Sequence, residues 1–261
     1  MKKGPRIIYL RRKVLAAAGC LVAAAAMCWA AAGGPQAVGA SGTQRQLPIY
    51  CVEKDYKVVS ISFDAAWGNE DTQQLIDIMA KYGVKATFFV VGDWVEKYPE
   101  SVQALAEAGH EIMSHSDSHA HFNSLSTDEI IADLNACNDK IEAVTGVRPT
   151  LFRCPYGEYD DHVINAVRSL SIEPIQWDVD SLDWKDLSAE EITKRVTSKV
   201  QPGSIVLFHN AAKHTPEALP GIIEYLLQEG YTFVPISELI MPGTCGEDYT
   251  IDHTGRQCRM Q

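Results

Sequence analysis

The stretch that decides the fold is KVVSISFDAAWGNEDTQQLIDIMAKYGVKATFFVVG, residues 57–92. It begins with an apolar run typical of a strand, residues 57–63, and ends with a second such run, residues 85–92. Between them, residues 71–83 show helical periodicity and end at Gly83, a residue type that often terminates helices. Two strands joined through a helix form a βαβ unit, which predicts that the strands are parallel in one sheet.

The alternation of strand and helix continues to about residue 241. Ser126 with Glu129, and Ser188 with Glu191, have the spacing of capping boxes at helix starts. Six or seven successive βα units predict an α/β domain over residues 57–241, with a parallel sheet that is either open or closed into a barrel.

The N-terminal part of the chain has the features of an export signal. Residues 1–13 hold six Lys and Arg and no acid, and residues 14–32 are 19 apolar residues. This length favours a membrane anchor, whereas the alanine content and the small residues ending at Ala40 favour a cleaved signal peptide. Either way we expect an extracytoplasmic domain, attached to the membrane through the apolar segment or secreted. Residues 33–56 predict a linker, and the polar residues 242–261 predict a tail outside the core.

The charge balance excludes some partners. Six of the 23 basic residues lie in the first 13 positions, so 17 basic and 34 acidic residues follow, a formal net charge of −17. Such a field repels nucleic acid and anionic lipid, which favours neutral or cationic substrates. It is equally typical of a soluble exported domain, so the charge identifies no substrate.

Five cysteines follow the apolar segment: Cys51, Cys137, Cys154, Cys245 and Cys258. None forms a CxxC pair, which argues against a zinc ribbon. In an oxidising compartment, either a Cys245–Cys258 bridge or a bridge from Cys51 to one of these two would tie down the tail. Because five is an odd number, at least one thiol stays free.

Polar side chains follow several of the apolar runs. These strand-end residues are Asp64, Arg153, Asp178, Asp180, Asp183 and His209. The carboxyl ends of parallel strands share one rim, where active sites of such folds lie. Near them in sequence, His115 and His119 are four residues apart, which predicts two imidazoles on one side of a helical turn, either as metal ligands or as a solvated surface. Imidazole suits zinc, and a carboxylate normally completes such a set.

Five segments make the interpretation specific: SFDAAWG (62–68), HSDSH (115–119), RCPYG (153–157), DVDSLDW (178–184) and IVLFH (205–209). In order and spacing they resemble the five motifs of the polysaccharide deacetylases, also known as the NodB-homology or carbohydrate esterase 4 family. The resemblance covers about residues 57–240. It implies a distorted (β/α) barrel of the NodB type and metal-dependent hydrolysis of N-acetyl groups on glycans.

The resemblance also implies roles for individual residues. Asp64 matches the general base and Arg153 the arginine that pairs with it. His209 matches the general acid, and Asp183 the carboxylate that orients His209. This division suits amide hydrolysis, which needs an activated water and a proton for the departing amine.

Further matches concern the metal and the substrate. His115 and His119 match the two histidine ligands of a divalent metal, zinc first and cobalt or another divalent ion as alternatives, while His121 matches no motif position. Trp184 and Leu207 resemble the walls of the pocket for the acetyl methyl group. The backbone N–H of Tyr156 resembles a donor to the oxyanion.

One position departs from the family pattern. Where the family has a second acid that binds the metal, this chain has Ala65. Two histidines and waters should bind zinc weakly, so we expect another group to supply the third ligand. The candidates are Asn69, Glu70, Asp71 and Asp117. This one-acid motif resembles that of deacetylase-like proteins of spore-forming bacteria, which implies a role in the envelope or spore wall.

Three functions are therefore compatible with the sequence. The first is an N-deacetylase of peptidoglycan or chitooligosaccharides. The second is a catalytically silent, glycan-binding protein of wall morphogenesis, suggested by Ala65. The third is an amidase or esterase with a non-glycan or O-acetyl substrate. The sequence does not distinguish N-acetylglucosamine from N-acetylmuramic acid, and it makes no prediction of oligomeric state.

Overall fold

The computed structural model describes residues 45–260. The predicted basic segment 1–13, the apolar segment 14–32 and the first half of the linker, residues 33–44, therefore lie outside the described residues. Within the described part of the chain, no helix has the length and apolar character needed to cross a membrane.

The strands of the described chain are short, apart from β2 and β8. They are β1 (Cys51–Val52), β2 (Val58–Ala65), β3 (Thr87–Val90), β4 (Glu111–Ser114), β5 (Leu151–Phe152), β6 (Glu173–Pro174), β7 (Val179–Asp180), β8 (Ser204–His209), β9 (Thr232–Phe233), β10 (Tyr249–Ile251) and β11 (Arg256–Arg259).

Helices follow most of the parallel strands. They are α1 (Thr72–Tyr82), α2 (Gly92–Lys97), α3 (Pro99–Glu107), α4 (Thr127–Thr145), α5 (Asp161–Ser169), α6 (Ala189–Thr197), α7 (Thr215–Gln228) and α8 (Ile236–Leu239). Short 3₁₀ turns lie at Phe122–Ser124, Pro155–Gly157 and Asp183–Lys185.

The sheet is a distorted barrel. Parallel strands pair in the order β8, β2, β3, β4, β5 and β6. The segment around β1 closes the ring, because Cys51 pairs antiparallel with Ser204 of β8 while Ile49 bridges to Ile175, just after β6. The (β/α) barrel predicted from the family resemblance is thus confirmed, and the open sheet is excluded.

The central strand β2 is buried on both faces. Phe63 and its alternate neighbours pack in an apolar cluster with helix residues such as Leu75 of α1 and Ile222 of α7. Successive side chains of a strand point to opposite faces, so Ser60 and Ser62 face the barrel interior, where their hydroxyls donate to backbone carbonyls. Asp64, the last polar residue of β2, points to the same face as Ser60 and Ser62 and therefore lies at the mouth of the barrel.

Both ends of the domain differ from the sequence prediction. Ile49 and Val52 are fully buried, so the segment 49–52 of the predicted linker belongs to the barrel. At the other end, β11 pairs with β1, and Tyr249 and Ile251 pack in a second apolar cluster, so this part of the tail belongs to the core. Strands of two to four residues are too short to produce a recognisable alternation in the sequence.

The cysteines also differ from the expectation of a bridge. All five cysteines of the described chain are free thiols. Strand register explains this result, because the partner of Cys51 in β11 is Arg256, while Cys258 lies opposite Thr250. Neither predicted bridge is formed.

Candidate active site

Four of the predicted strand-end residues, Asp64, Arg153, Asp183 and His209, meet at the mouth of the barrel. Asp178 lies instead beside the start of β8, where it accepts from Ser204 Oγ, and Asp180 accepts from the Leu182 N–H. Asp64 lies at the end of β2 and His209 at the end of β8, and the two are direct register partners on neighbouring parallel strands. His115 follows β4, and Arg153 follows β5. Because neighbouring strands are only about 4.8 Å apart, this register brings the predicted base and acid to adjacent positions.

Asp64 is held by a buried arginine. The Arg153 guanidinium is fully buried and donates from Nη1 to Asp64 Oδ1 at 2.8 Å and from Nη2 to the Gln176 carbonyl at 3.0 Å. Burial alone would raise the pKa of Asp64, but the charge and hydrogen bond of Arg153, together with the nearby His115 and His209, outweigh burial and hold that pKa below its usual value. Asp64 is therefore an ionised carboxylate at neutral pH.

His115 faces the other oxygen of Asp64. Its Nδ1 lies 2.8 Å from the Arg153 carbonyl, to which it donates, so Nε2 carries the lone pair. Burial lowers the pKa of His115, which keeps the imidazole neutral. Its Nε2 lies 3.5 Å from Asp64 Oδ2. Two acceptor atoms thus face each other across a gap that suits a shared cation.

His119 reaches His115 from a loop. The two ring centroids are 5.0 Å apart. The predicted helical turn is absent from residues 115–119: His119 has a left-handed φ of 56°, and its N–H donates to Ser116 Oγ at 2.8 Å. His115 and His119 are thus brought together by a loop and not by a helical turn. Burial, followed by the charge of His115, lowers the pKa of His119 to about 4.

His209 is paired with a buried carboxylate. Its Nδ1 lies 2.8 Å from Asp183 Oδ1, and its backbone N–H donates to Asp183 Oδ2 at 2.8 Å. Thr215 Oγ1 donates to the same oxygen at 2.7 Å. Burial would lower the pKa of His209, but the hydrogen bond and charge of Asp183 raise it above its usual value. The pKa of Asp64 is therefore lowered and that of His209 is raised.

The predicted candidates for a third metal ligand are all engaged elsewhere. The Asn69 amide donates to Ser101, and Glu70 accepts from the Asn69 backbone N–H. Asp71 Oδ2 accepts from the backbone N–H of Ala211, while its Oδ1 is buried without a hydrogen-bond partner among residues 45–260. Asp117 pairs with Lys140 of α4 at 2.9 Å. None of these side chains replaces the carboxylate that Ala65 lacks.

The remaining donors fit a metal only in part. Two ligands of a tetrahedral zinc at about 2.0–2.2 Å lie roughly 3.3–3.6 Å apart, which matches the separation of His115 Nε2 and Asp64 Oδ2. His119 Nδ1 is buried without a hydrogen-bond partner. However, no three His, Cys, Asp or Glu side chains of residues 45–260 have the spacing of a complete metal site.

Comparisons with known proteins identify the family. A family model for polysaccharide deacetylase matches residues 52–175. The chain is 33% identical to "Uncharacterized protein YlxY" of Bacillus subtilis, over 74% of this chain and 60% of YlxY. It is 35% identical to the peptidoglycan-N-acetylmuramic acid deacetylase PdaC of the same organism, over 72% of this chain and 40% of PdaC. The chain thus spans less than two thirds of these two relatives.

Solved structures agree in both sequence and fold. BA3943 of Bacillus anthracis, described as a CE4 family pseudoenzyme, superimposes with a TM-score of 0.71 at 36% identity, over 74% of this chain and 68% of BA3943. The chain belongs to the polysaccharide deacetylase family. A BA3943 mutant described as having restored enzymatic activity is equally similar, with a TM-score of 0.71. Pseudoenzymes are thus found among the structural neighbours of this chain.

The predicted substrate-side residues surround the same opening. Tyr156 and Trp184 have exposed aromatic side chains, whereas Leu207 is buried, and precedes His209 by two positions on the same face of β8. Tyr156 has a left-handed φ of 59°. Its backbone N–H has no acceptor within residues 45–260, so the group is free to bind a ligand.

Two residues at the mouth of the barrel were missed from the sequence. Trp67 is 68% exposed, and its ring contacts His119 at a centroid distance of 6.0 Å. Asn210 is buried, accepts from the Ala66 N–H at 3.2 Å and donates to the Gly68 carbonyl at 2.9 Å. Their positions next to the motif residues Asp64 and His209 were the available signal.

Proposed function

We propose that this chain hydrolyses N-acetyl groups on the amino sugars of a cell-wall polysaccharide. The observation that carries the proposal is the pairing of Asp64 and His209 in register on adjacent strands, with pKa shifts in opposite directions. Groups held in opposite protonation states suit the base and the acid of one hydrolysis. The named function of PdaC, which covers peptidoglycan N-acetylmuramic acid, supports this substrate class.

Asp64 supplies the base. Arg153 binds Oδ1, which leaves Oδ2 to accept a proton from the attacking water. Because Arg153 lowers the pKa of Asp64, the carboxylate is ionised before the reaction begins. Arg153 also fixes the direction of the carboxylate, since its second nitrogen is bound to the Gln176 carbonyl.

His209 supplies the acid. Asp183 accepts from Nδ1, so Nε2 carries the proton that is transferred to the departing amine nitrogen. The charge of Asp183 keeps His209 protonated near neutral pH. The side chain of His209 is 25% exposed and that of Asp183 is fully buried, so the donor meets the substrate while its partner stays in the core.

The backbone N–H of Tyr156 donates to the oxyanion of the tetrahedral intermediate. We further propose that His115 and His119 bind a divalent ion, zinc in the first instance, with Asp64 as the adjacent carboxylate. Such an ion, when bound, acidifies water and stabilises negative charge on oxygen. The face-to-face acceptors of His115 and Asp64 support this assignment.

A neutral glycan suits the rim of the mouth. Trp67, Tyr156 and Trp184 present exposed rings on three different loops, and aromatic faces are suitable surfaces for sugar rings. The acidic balance of the chain disfavours nucleic acid. We propose that the domain acts outside the cytoplasm, held by residues 14–32 or released after Ala40, and cell fractionation with an antibody tests this location.

Acetate release from an N-acetylglucosamine oligomer, with and without added zinc, tests the function. Asp64→Asn and His209→Ala should each lower the rate by about 10² to 10⁴, the usual contribution of a general base or acid. The exposed Asp128→Asn and His253→Ala are matched controls and should keep the parent rate. Acetate release by both active-site variants at the parent rate contradicts the proposal.

A silent glycan-binding protein is the second candidate, because Ala65 removes the family's metal-binding acid and BA3943 is a pseudoenzyme of the same family. It predicts that the purified chain binds the oligomer in a calorimeter yet releases no acetate at any zinc concentration. Asp64→Asn and His209→Ala would then leave the dissociation constant for the oligomer nearly unchanged.

A further inference from the structure

His121 is the histidine of the HSDSHAH segment that the proposed reaction leaves unused. Its side chain is 60% exposed, and its Nδ1 lies 2.9 Å from Glu158 Oε2, to which it donates. Its ring stacks on Tyr156, with centroids 4.2 Å apart and an angle of 11° between the planes. An exposed side chain held by both a hydrogen bond and a stacked ring has a defined position.

Tyr156 needs such support. Its left-handed backbone, with φ 59° and ψ 4°, is strained for a residue that has a Cβ atom. Its ring is largely exposed, so the core does not hold it. Instead the ring lies between two histidines: the face of His121 on one side, and an edge-on contact with His119 at 4.5 Å.

Glu158 completes a small closed unit. It lies two residues after Tyr156, beyond Gly157, and its carboxylate binds the same His121 that stacks on the Tyr156 ring. The contacts form a closed ring: the Tyr156 ring stacks on His121, His121 binds Glu158, and the backbone joins Glu158 to Tyr156. This ring of contacts restricts rotation of the Tyr156 side chain. We call the three residues His121, Tyr156 and Glu158 the tyrosine clamp.

We propose that His121, held in place by Glu158, is a positioning residue, which acts through the Tyr156 ring to aim the Tyr156 backbone N–H at the oxyanion. This inference rests on the proposed function, since it assigns the N–H to the hydrolysis. A donor aimed at charge that develops only in the transition state affects kcat and leaves substrate binding nearly unchanged. Disruption of the tyrosine clamp should therefore lower kcat and leave KM unchanged.

Two substitutions at one position test the clamp. His121→Ala removes both the stack and the hydrogen bond, whereas His121→Phe keeps a flat ring against Tyr156. Loss of one oxyanion donor costs about 10² to 10³ in rate, so a donor that is present but loosened should cost about tenfold in kcat. We expect that loss in His121→Ala, with KM unchanged, near-parent values in His121→Phe, and parent values in the exposed control His253→Ala.

A second readout is independent of catalysis. In protein labelled with ¹⁵N-tyrosine, the Tyr156 amide signal should shift and exchange faster with solvent in His121→Ala, but not in His121→Phe. An unchanged Tyr156 amide in His121→Ala, or equal losses of kcat in both variants, overturns the inference. If the parent releases no acetate while the amide still responds to His121→Ala alone, the proposed hydrolysis fails and the tyrosine clamp stands.

Discussion

At the scale of single residues, Asp183 controls the protonation of the active site. It has no exposed surface, and its two oxygens accept from His209 and Thr215. A carboxylate in this position stabilises the imidazolium form of His209 relative to the neutral form. Activity that needs protonated His209 should therefore persist above the free-histidine pKa of about 6.5.

Asp183→Asn should move the alkaline limb of the rate–pH profile to lower pH. The sign follows from the acid's role: the enzyme is active below the pKa of His209, and removing the negative charge lowers that pKa. The acid limb should stay in place, because it reports Asp64, whose pKa lies below its usual value of about 3.9. Profiles of kcat/KM measure both limbs, with the exposed Asp186→Asn as the control. An unshifted alkaline limb contradicts the assignment.

We expect Ala65 to limit how strongly the proposed site binds a metal. It is fully buried at the end of β2 and packs within the main apolar cluster. Ala65→Asp should tighten zinc binding in calorimetry, because it restores an anionic ligand beside Asp64. Without metal, the same carboxylate is buried and unpaired, so the variant should unfold at lower urea in EDTA and recover with zinc. Ala65→Asn is the matched control of nearly equal size.

Equal zinc affinity in Ala65→Asp and Ala65→Asn would contradict that prediction. In that case the acid at position 65 does not reach the metal. His115 and His119 would then remain as the predicted ligands.

At the scale of elements, helix α4 supports the histidine loop. Asp133 of α4 accepts from the backbone N–H of Asp117 at 2.7 Å, and Lys140 of the same helix pairs with the Asp117 side chain. The helix begins with a complete capping box between Ser126 and Glu129. We therefore expect that fraying of the first turn of α4 would weaken the support of the loop that carries the predicted metal ligands.

Ser126→Ala should lower the free energy of unfolding by about 1 kcal/mol, the usual value of an N-cap side chain. Ser188→Ala, in the equivalent capping box of α6, is the matched control and should cost a similar amount. Only Ser126→Ala should also weaken zinc binding, because α4 contacts the histidine loop. Urea unfolding and zinc titration measure the two effects, and equal zinc affinities in both variants contradict this coupling.

Elements with a strong local signal were predictable from the sequence. Both capping boxes are present as predicted, and Gly83 and Gly146 end their helices with left-handed backbones. The loop at His119 was not predictable, because a spacing of four residues reads as one helical turn, and Ser116 stabilises a different backbone. Local periodicity has no information about contacts of this kind.

The site was predictable in its residue types and less so in its supports. Strand ends and motif spacing led to Asp64, Arg153 and His209, which the structure brings together. The contacts of Trp67 and Asn210 depend on how two separate loops pack against each other. The sequence pattern of a single segment does not predict such packing.

At the scale of the whole molecule, the C-terminal segment is part of the core. Tyr249 is 1% exposed and packs in the second apolar cluster. Tyr249→Ala should therefore lower the free energy of unfolding by about 3–5 kcal/mol, as truncation of a buried aromatic residue does. Tyr56→Ala, at a site that is 56% exposed, is the control and should cost less than about 1 kcal/mol. Equal urea midpoints for the two variants would contradict the role of this segment in the core.

The pairing of β1 with β11 sets the order in which the molecule is completed. Cys51 and Val52 align with Arg256 and Gln257, which a ribosome adds about 200 residues later. Until those residues emerge, the edge of β1 that pairs with β11 has no partner strand. Contacts this distant in sequence are slow to form, so this edge is paired late in folding. A chaperone that binds exposed strand edges would therefore meet this domain with one edge unpaired.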